Sequence, residues 1–322
     1  MTEAGVLAAI LWLALNAYAV LAGADFGGGV WDLLASGPRA AEQRRAVAEA
    51  MGPVWEANHV WLIFMIVGTF TAFPSAFGAL ALDLYLPFTI ALVGIVLRGA
   101  AFAFRAHGRE AVGAATGWGV VFGAASIIAP FYLGIALAAV ASGSPDKGTT
   151  PFGVLLGLFG VALCAYLAAT YLTVETEGTP LEGDFRRRAI ASGLVSGVLA
   201  IACLVLAQSA APFLYHALVG RGLPLLVLAL LNGPIALAAV WLSRPRVARI
   251  AVAAQVTFVL WAWVVGQWPY LIPPSVTIQD AAAPASTLTA LLIVIAVGMA
   301  VLLPSLWYLF RVFKARNPAA IL

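Results

Sequence analysis

The stretch Gly23-Ala24-Asp25-Phe26-Gly27-Gly28-Gly29 (GADFGGG) follows an apolar run that starts near residue 4. This run is long enough to cross a bilayer, because a membrane-spanning helix needs about 20 apolar residues. A carboxylate inside such a run is costly and usually functional. Three consecutive glycines weaken a helix, but they let a neighbouring helix or a ligand come close, or let the helix bend. The stretch therefore predicts a membrane-spanning helix with an acidic group at a close contact.

The composition of the whole chain agrees with a membrane protein. Of its 322 residues, 63% are hydrophobic and only 10% are charged, and the mean hydropathy is +1.01. Soluble domains have about 25% charged residues. Cys164 and Cys203 both lie in apolar runs, so they form neither a disulfide framework nor a CxxC motif. We expect residues 1–322 to form a single membrane domain.

The apolar runs predict an all-α integral membrane protein with about nine transmembrane helices. Spans one to four and five to eight would form two four-helix bundles, and the ninth would be a peripheral helix. Between the first two spans, residues 38–52 are polar and predict a short helical segment at the membrane surface. The spans are predicted near 4–35, 54–73, 77–104, 111–141, 152–174, 186–209, 222–242, 247–268 and 286–313.

The basic residues predict the orientation of the chain. With nine spans, all of the 17 Lys and Arg residues except Lys147 and Arg221 fall on one side of the membrane. The side richer in Lys and Arg is cytoplasmic in most membrane proteins, so the N-terminus is expected outside and the C-terminus in the cytoplasm. The basic pI of about 9.0 is therefore a topology signal. It does not indicate a nucleic-acid partner, because no basic patch belongs to a soluble module.

Several polar residues fall at one depth near the cytoplasmic end of the first three spans. Asp25 lies about 30 Å along the first span. Glu56 and His59 are three residues apart and share a face of the second span, with Asn58 beside them, and Arg98 lies near the end of the third. Ionisable groups at this depth indicate a paired site or a proton path. Asp25 and Glu56 are the candidate proton carriers, and His59, Asn58 and Arg98 form a supporting polar layer.

Each of these residues also has a structural interpretation. Asp25 could simply pair with Arg98 near the interface. Glu56 could be stabilised by the helix dipole if it lies in the first turn of its helix. His59 could be a hydrogen-bonded structural histidine, and Arg98 could extend to the lipid headgroups.

The sequence has no motif for a redox centre or a metal site. Its histidines are His59, His107 and His216, and no two of them are placed to face into a bundle as a bis-His haem requires. There is no CxxCH motif and no carboxylate–histidine cluster of the di-iron type. We therefore expect no catalytic redox residue, no metal and no confidently assigned cofactor in this chain.

Four motifs follow one another along the chain: GADFGGGVWDLL (23–34), AMGPVWEANHVWLI (50–63), GIVLRGAAFAFR (94–105) and YLTVETEG (171–178). Together they resemble subunit II of the cytochrome bd family of quinol oxidases. The combination is specific, covers most of the chain and keeps the order and spacing of the family. The WEANHVWLI wording and the loop IPPSVTIQDAAAP (272–284) look most like the cyanide-insensitive branch.

This resemblance implies a heterodimer in the bacterial cytoplasmic membrane. Subunit I would carry haems b and d, oxidise quinol near the outer face and reduce oxygen to water with cytoplasmic protons, which generates a proton motive force. Subunit II would be haem-free, support subunit I and contribute Asp25 and Glu56 to proton uptake. The resemblance also allows a structural quinone or lipid in this chain and a small accessory subunit.

Two positions depart from the family pattern. Glu56 stands where the family often has Asp, which keeps the acid but moves it. In FAFR, Ala103 stands where Asp or Glu is common, so a proton relay through that position is not expected here.

Two other interpretations remain open at this point. One is a proton-coupled secondary transporter, a class that also uses interrupted helices and buried carboxylates. The other is a purely structural subunit whose acids only form ion pairs.

Overall fold

The computed structural model describes residues 2–107, 117–143 and 150–315. Nine of the helices in these ranges are long and apolar enough to cross a membrane, which confirms the predicted all-α class with nine spans. These nine are all the helices below except α3 and α8. The helices are α1 (Glu3–Leu33), α2 (Ala40–Ala72), α3 (Pro74–Asp83), α4 (Tyr85–His107), α5 (Gly117–Ser142), α6 (Pro151–Glu175), α7 (Pro180–Ala210), α8 (Pro212–Val219), α9 (Leu223–Trp241), α10 (Pro245–Gln267) and α11 (Ala285–Ala315).

Local sequence signals set many of the helix starts. The hydroxyl oxygens of Thr2 and Thr150 accept hydrogen bonds from the amides of Gly5 and Gly153, at 3.2 and 3.3 Å, and so cap α1 and α6. Proline is favoured in the first helical turn because it has no amide hydrogen and a helix-like φ. Five helices begin on a proline: Pro74, Pro151, Pro180, Pro212 and Pro245.

The polar segment predicted to lie separately on the membrane surface is instead the first part of α2. The helix continues through Pro53 to Ala72. Val47 and Met51 lie before Pro53 and Val54 lies after it, and all three are buried at helical spacing. One packed face of α2 therefore extends past the proline. Glu56 therefore lies in the middle of a helix, and the interpretation that the helix dipole stabilises it in a first turn is wrong.

The predicted third span is two helices. The chain leaves helical geometry at Leu84, between α3 and α4. Pro87 explains the break, because a proline ring clashes with the carbonyl group four residues earlier, here that of Asp83. Residues 111–116, at the start of the predicted fourth span, lie outside the described ranges.

The packing confirms two four-helix units and a peripheral ninth span. The first unit contains α1, α2, α4 and α5, and the second contains α6, α7, α9 and α10. Helix α6 also packs along α1 and α5, so the two units share a central contact. Helix α11 lies at the edge with most of its side chains exposed. The loop before it forms a small antiparallel pair of strands, β1 (Tyr270–Ile272) and β2 (Val276–Thr277).

The three consecutive glycines in α1 face three different helices. A side chain at Gly27 would overlap the backbone carbonyl of Cys164 in α6. At Gly28 it would press on Met51 in α2, and at Gly29 it would overlap the Ser126 hydroxyl in α5. The glycines thus allow α1 to sit in close contact with all three neighbours, which is the usual function of small residues in membrane helices.

Candidate functional site

A buried ion pair joins α1 to α4 at the depth where the sequence placed its polar layer. Arg98 Nη2 donates to Asp25 Oδ1 at 2.5 Å and to the Asp25 carbonyl at 3.0 Å. Both residues are only 1% exposed. A buried charge is stable only when it is paired and hydrogen-bonded. Arg98 is therefore a partner of Asp25 and does not extend to lipid headgroups.

Two neighbouring helices complete this cluster. From α2, Asn58 Nδ2 donates to Asp25 Oδ2 at 2.7 Å. From α5, the Ser126 hydroxyl accepts from Arg98 Nε at 3.0 Å and donates to the Phe122 carbonyl at 2.7 Å. Each helix of the first unit thus contributes one polar group, so the cluster is fixed by the packing of four helices. We call Asp25, Asn58, Arg98 and Ser126 the inner cluster.

A second ion pair lies beyond the inner cluster. Arg105 Nη1 and Nη2 donate to the two carboxylate oxygens of Asp32 at 3.1 and 3.0 Å. Asp32 lies seven residues after Asp25, and Arg105 lies seven residues after Arg98. Seven residues make about two helical turns and about 10 Å. The two pairs are therefore stacked along α1 and α4.

The ring of Phe122 lies between the two arginines of these pairs. Its centroid is 4.7 Å from the guanidinium carbon of Arg98 and 5.3 Å from that of Arg105. A cation over an aromatic face gains about 0.5–2 kcal/mol, more when it is away from water. Phe122 thus helps to hold both cations inside the helical unit.

Sequence reasoning missed the second pair. Arg105 counts there as a topology signal and as the end of the motif GIVLRGAAFAFR, and Asp32 is not among the candidate site residues. A usable signal was present, because the two acids and the two arginines have the same spacing of seven residues in GADFGGGVWD and RGAAFAFR. Equal spacing on two helices permits two pairs in register when the helices run in the same direction.

The structure does not bring Glu56 to the inner cluster. Its side chain is exposed on the surface of the isolated chain, and it makes no hydrogen bond or ion pair with the described residues. Asn58, only two residues away, faces inward because two residues turn a helix by about 200°. Ala103 is also exposed, on α4.

His59 is held against its own helix. Its Nδ1 lies 2.8 Å from the Trp55 carbonyl oxygen, so that nitrogen carries a proton, and its ring meets the Trp55 ring edge-on at 5.1 Å. It is half-buried beside the inner cluster and is not hydrogen-bonded to it within the described ranges. In the same ranges, no three His, Cys, Asp or Glu side chains form a group that could hold a metal ion.

Comparison with known proteins assigns the chain to a family. The family model for cytochrome bd terminal oxidase subunit II matches residues 4–313. The chain belongs to this family. One chain of the bd oxidase from Geobacillus thermodenitrificans superposes with a TM-score of 0.83 and 25% identity, and the match covers 97% of this chain and 99% of that one.

Two curated relatives carry the same assignment. A Bacillus subtilis (strain 168) protein, provisionally named a cytochrome bd menaquinol oxidase subunit II, is 23% identical over 97% of this chain and 96% of its own length. The Escherichia coli (strain K12) cytochrome bd-I ubiquinol oxidase subunit 2 is 27% identical over 64% of this chain and 58% of its own length. This chain is thus a multi-pass membrane subunit of a cytochrome bd-type oxidase and works in a complex with subunit I. The family assignment does not support the transporter interpretation.

Proposed function

We propose that this subunit supports a haem-bearing subunit I in the bacterial cytoplasmic membrane and helps to supply it with cytoplasmic protons. Haems b and d in subunit I would pass electrons from quinol to oxygen, and the protons would complete the reduction of oxygen to water. The observation that carries the proposal is the inner cluster, because buried ionisable groups in a membrane helix are rare and mark ion or proton pathways. The proposed orientation, with the N-terminus outside, places this cluster near the cytoplasmic end of α1.

Glu56 is suited to accept the proton first. It has no described ion-pair partner, so its protonation breaks no salt bridge. Three exposed carboxylates, Glu42, Glu49 and Glu56, follow one face of α2 at intervals of seven residues, or about 10 Å. This row leads from the polar start of α2 to Glu56, as a route from the cytoplasm would.

Asp25 is suited to a second, interior position. Its two carboxylate oxygens accept one described side-chain hydrogen bond each, from Arg98 and from Asn58. A carboxylate has about four lone-pair sites, so Asp25 can still accept a hydrogen bond from a hydronium ion or a protonated side chain and take its proton.

The experiment that tests this function is steady-state oxygen consumption by the purified complex. We expect Glu56→Gln to slow turnover by about tenfold or more at a normal ratio of haem to protein, because it removes a proton carrier. Glu56→Asp keeps the acid and should stay within about twofold of wild type. Asp83→Asn is the matched control, since Asp83 is an exposed carboxylate at the end of the predicted third span that is far from Arg98. Normal turnover of fully assembled Glu56→Gln would remove Glu56 from the path and favour a purely structural subunit.

A further inference from the structure

A polar cavity of about 310 Å³ lies between the loop after α1 and the first turns of α7. Its charged lining residues are Arg39, Asp184, Arg187 and Arg188, so it contains three cations and a single carboxylate. The cavity is outside the inner cluster and has no part in the proton path proposed above. An excess of positive charge in a recess favours an anionic occupant.

The carboxylate of this cavity is already fully engaged. Arg39 donates to both oxygens of Asp184 at 2.9 and 2.7 Å, and Arg187 donates to Oδ1 at 2.7 Å. Gln43 adds a hydrogen bond from Nε2 to Oδ2 at 3.1 Å. Asp184 therefore neutralises only part of the positive charge and has little capacity left for Arg188.

Arg188 is held in a fixed position by aromatic and hydrogen-bond contacts, which leave one of its guanidinium nitrogens without a described partner. Its guanidinium carbon lies 5.3 Å from the Trp31 ring and 5.4 Å from the Phe185 ring, and its Nη2 donates to Gln43 Oε1 at 2.7 Å. Its Nη1 is buried and has no hydrogen-bond partner among the described residues. Arg188 lines the cavity and its charge is only partly compensated, so an anionic oxygen in the cavity would be favoured.

We propose that this cavity binds the phosphate group of an anionic phospholipid. Guanidinium groups bind phosphate oxygens with good geometry, and basic pockets at the cytoplasmic ends of membrane helices bind anionic headgroups. The cavity lies on the side that the basic residues mark as cytoplasmic. Beyond it, α7 presents an exposed apolar face with Leu194, Val198 and Ile201 at helical spacing, along which acyl chains fit. A free phosphate ion would make no use of that face.

Native mass spectrometry of the delipidated complex tests this site. The probes are phosphatidylglycerol and phosphatidylcholine with identical acyl chains, and inorganic phosphate. We expect the complex to bind one phosphatidylglycerol at least about fivefold more tightly than phosphatidylcholine, and Arg188→Gln to remove most of that preference. Arg187→Gln should also weaken it. The Arg187 side chain is 76% exposed, so this variant remains informative if Arg188→Gln fails to assemble.

Arg186→Gln is the matched control, because Arg186 is adjacent on α7 but does not line this cavity. It should leave the preference for phosphatidylglycerol within about twofold of wild type. Equal losses for Arg186→Gln and Arg187→Gln would indicate a general charge effect and overturn the site. Absence of any preference between the two lipids would overturn it as well. Binding of inorganic phosphate with no gain from the lipid would overturn the assignment to a phospholipid.

Discussion

The two four-helix units differ in what they bury. Between α1 and α4, the first unit encloses the stacked pairs Asp25–Arg98 and Asp32–Arg105. The second unit packs around apolar side chains such as Leu172, Phe185 and Val252. Its described ion pairs lie near the helix ends, where Glu175 and Glu177 meet Arg249 and Arg246 at 3.4 Å and Asp184 meets Arg187 at 2.7 Å. Because a charge inside a membrane protein is costly, the two buried pairs of the first unit support the proposed proton path there.

Breaking the buried Asp25–Arg98 pair of the first unit should have the largest destabilising effect on the complex. Arg98→Leu leaves the Asp25 carboxylate buried without a cation, which costs about 3–5 kcal/mol for a buried pair. We expect the yield of assembled complex, measured as haem co-purified per unit of protein, to fall severely. Replacing both partners, as Asp25→Leu with Arg98→Leu, should restore assembly in part, because no lone charge remains. A double variant that assembles no better than Arg98→Leu would contradict this explanation.

Filling the contact at Gly27 should have the next largest effect. Gly27→Ala places a methyl group against the Cys164 carbonyl, which is backbone and cannot rotate away, so α1 and α6 must separate. Overpacking of this kind costs about 1–3 kcal/mol or more. The measurement is the Tm of the complex, which should drop by several degrees. Gly52→Ala is the control, because, apart from the adjacent backbone of its own helix, no described atom lies within 4 Å of the new methyl group. A similar drop for both variants would show that close packing at Gly27 is not the cause.

Breaking an ion pair of the second unit should have the smallest effect. Arg249 and Glu175 are both partly exposed at the helix ends, and such pairs contribute about 0–1 kcal/mol. We expect Arg249→Gln to change Tm by no more than a few degrees and to leave oxygen consumption unchanged. A loss as large as that of Arg98→Leu would remove the distinction between the two units.

The sequence predicted the number of spans well, because a run of about 20 apolar residues has few alternatives to a membrane helix. It could not predict which side of a helix faces inward. In α2, Glu56 and Asn58 are two residues apart, yet only Asn58 reaches Asp25. Lipid and the protein interior are both apolar environments, so the residues around Glu56 and Asn58 are apolar on every face of α2. Hydrophobic periodicity therefore does not show which face of the helix points inward. The break at Leu84 was missed because the apolar run continues through it and hides the effect of Pro87.

The central claim is that this subunit delivers protons through Glu56. The most direct test is the uptake of protons after the fully reduced complex is mixed with oxygen, followed with a pH-indicator dye. We predict that Glu56→Gln slows this uptake by about tenfold or more, whereas Asp83→Asn matches wild type. An unchanged uptake rate in a Glu56→Gln complex with normal haem content would contradict the claim.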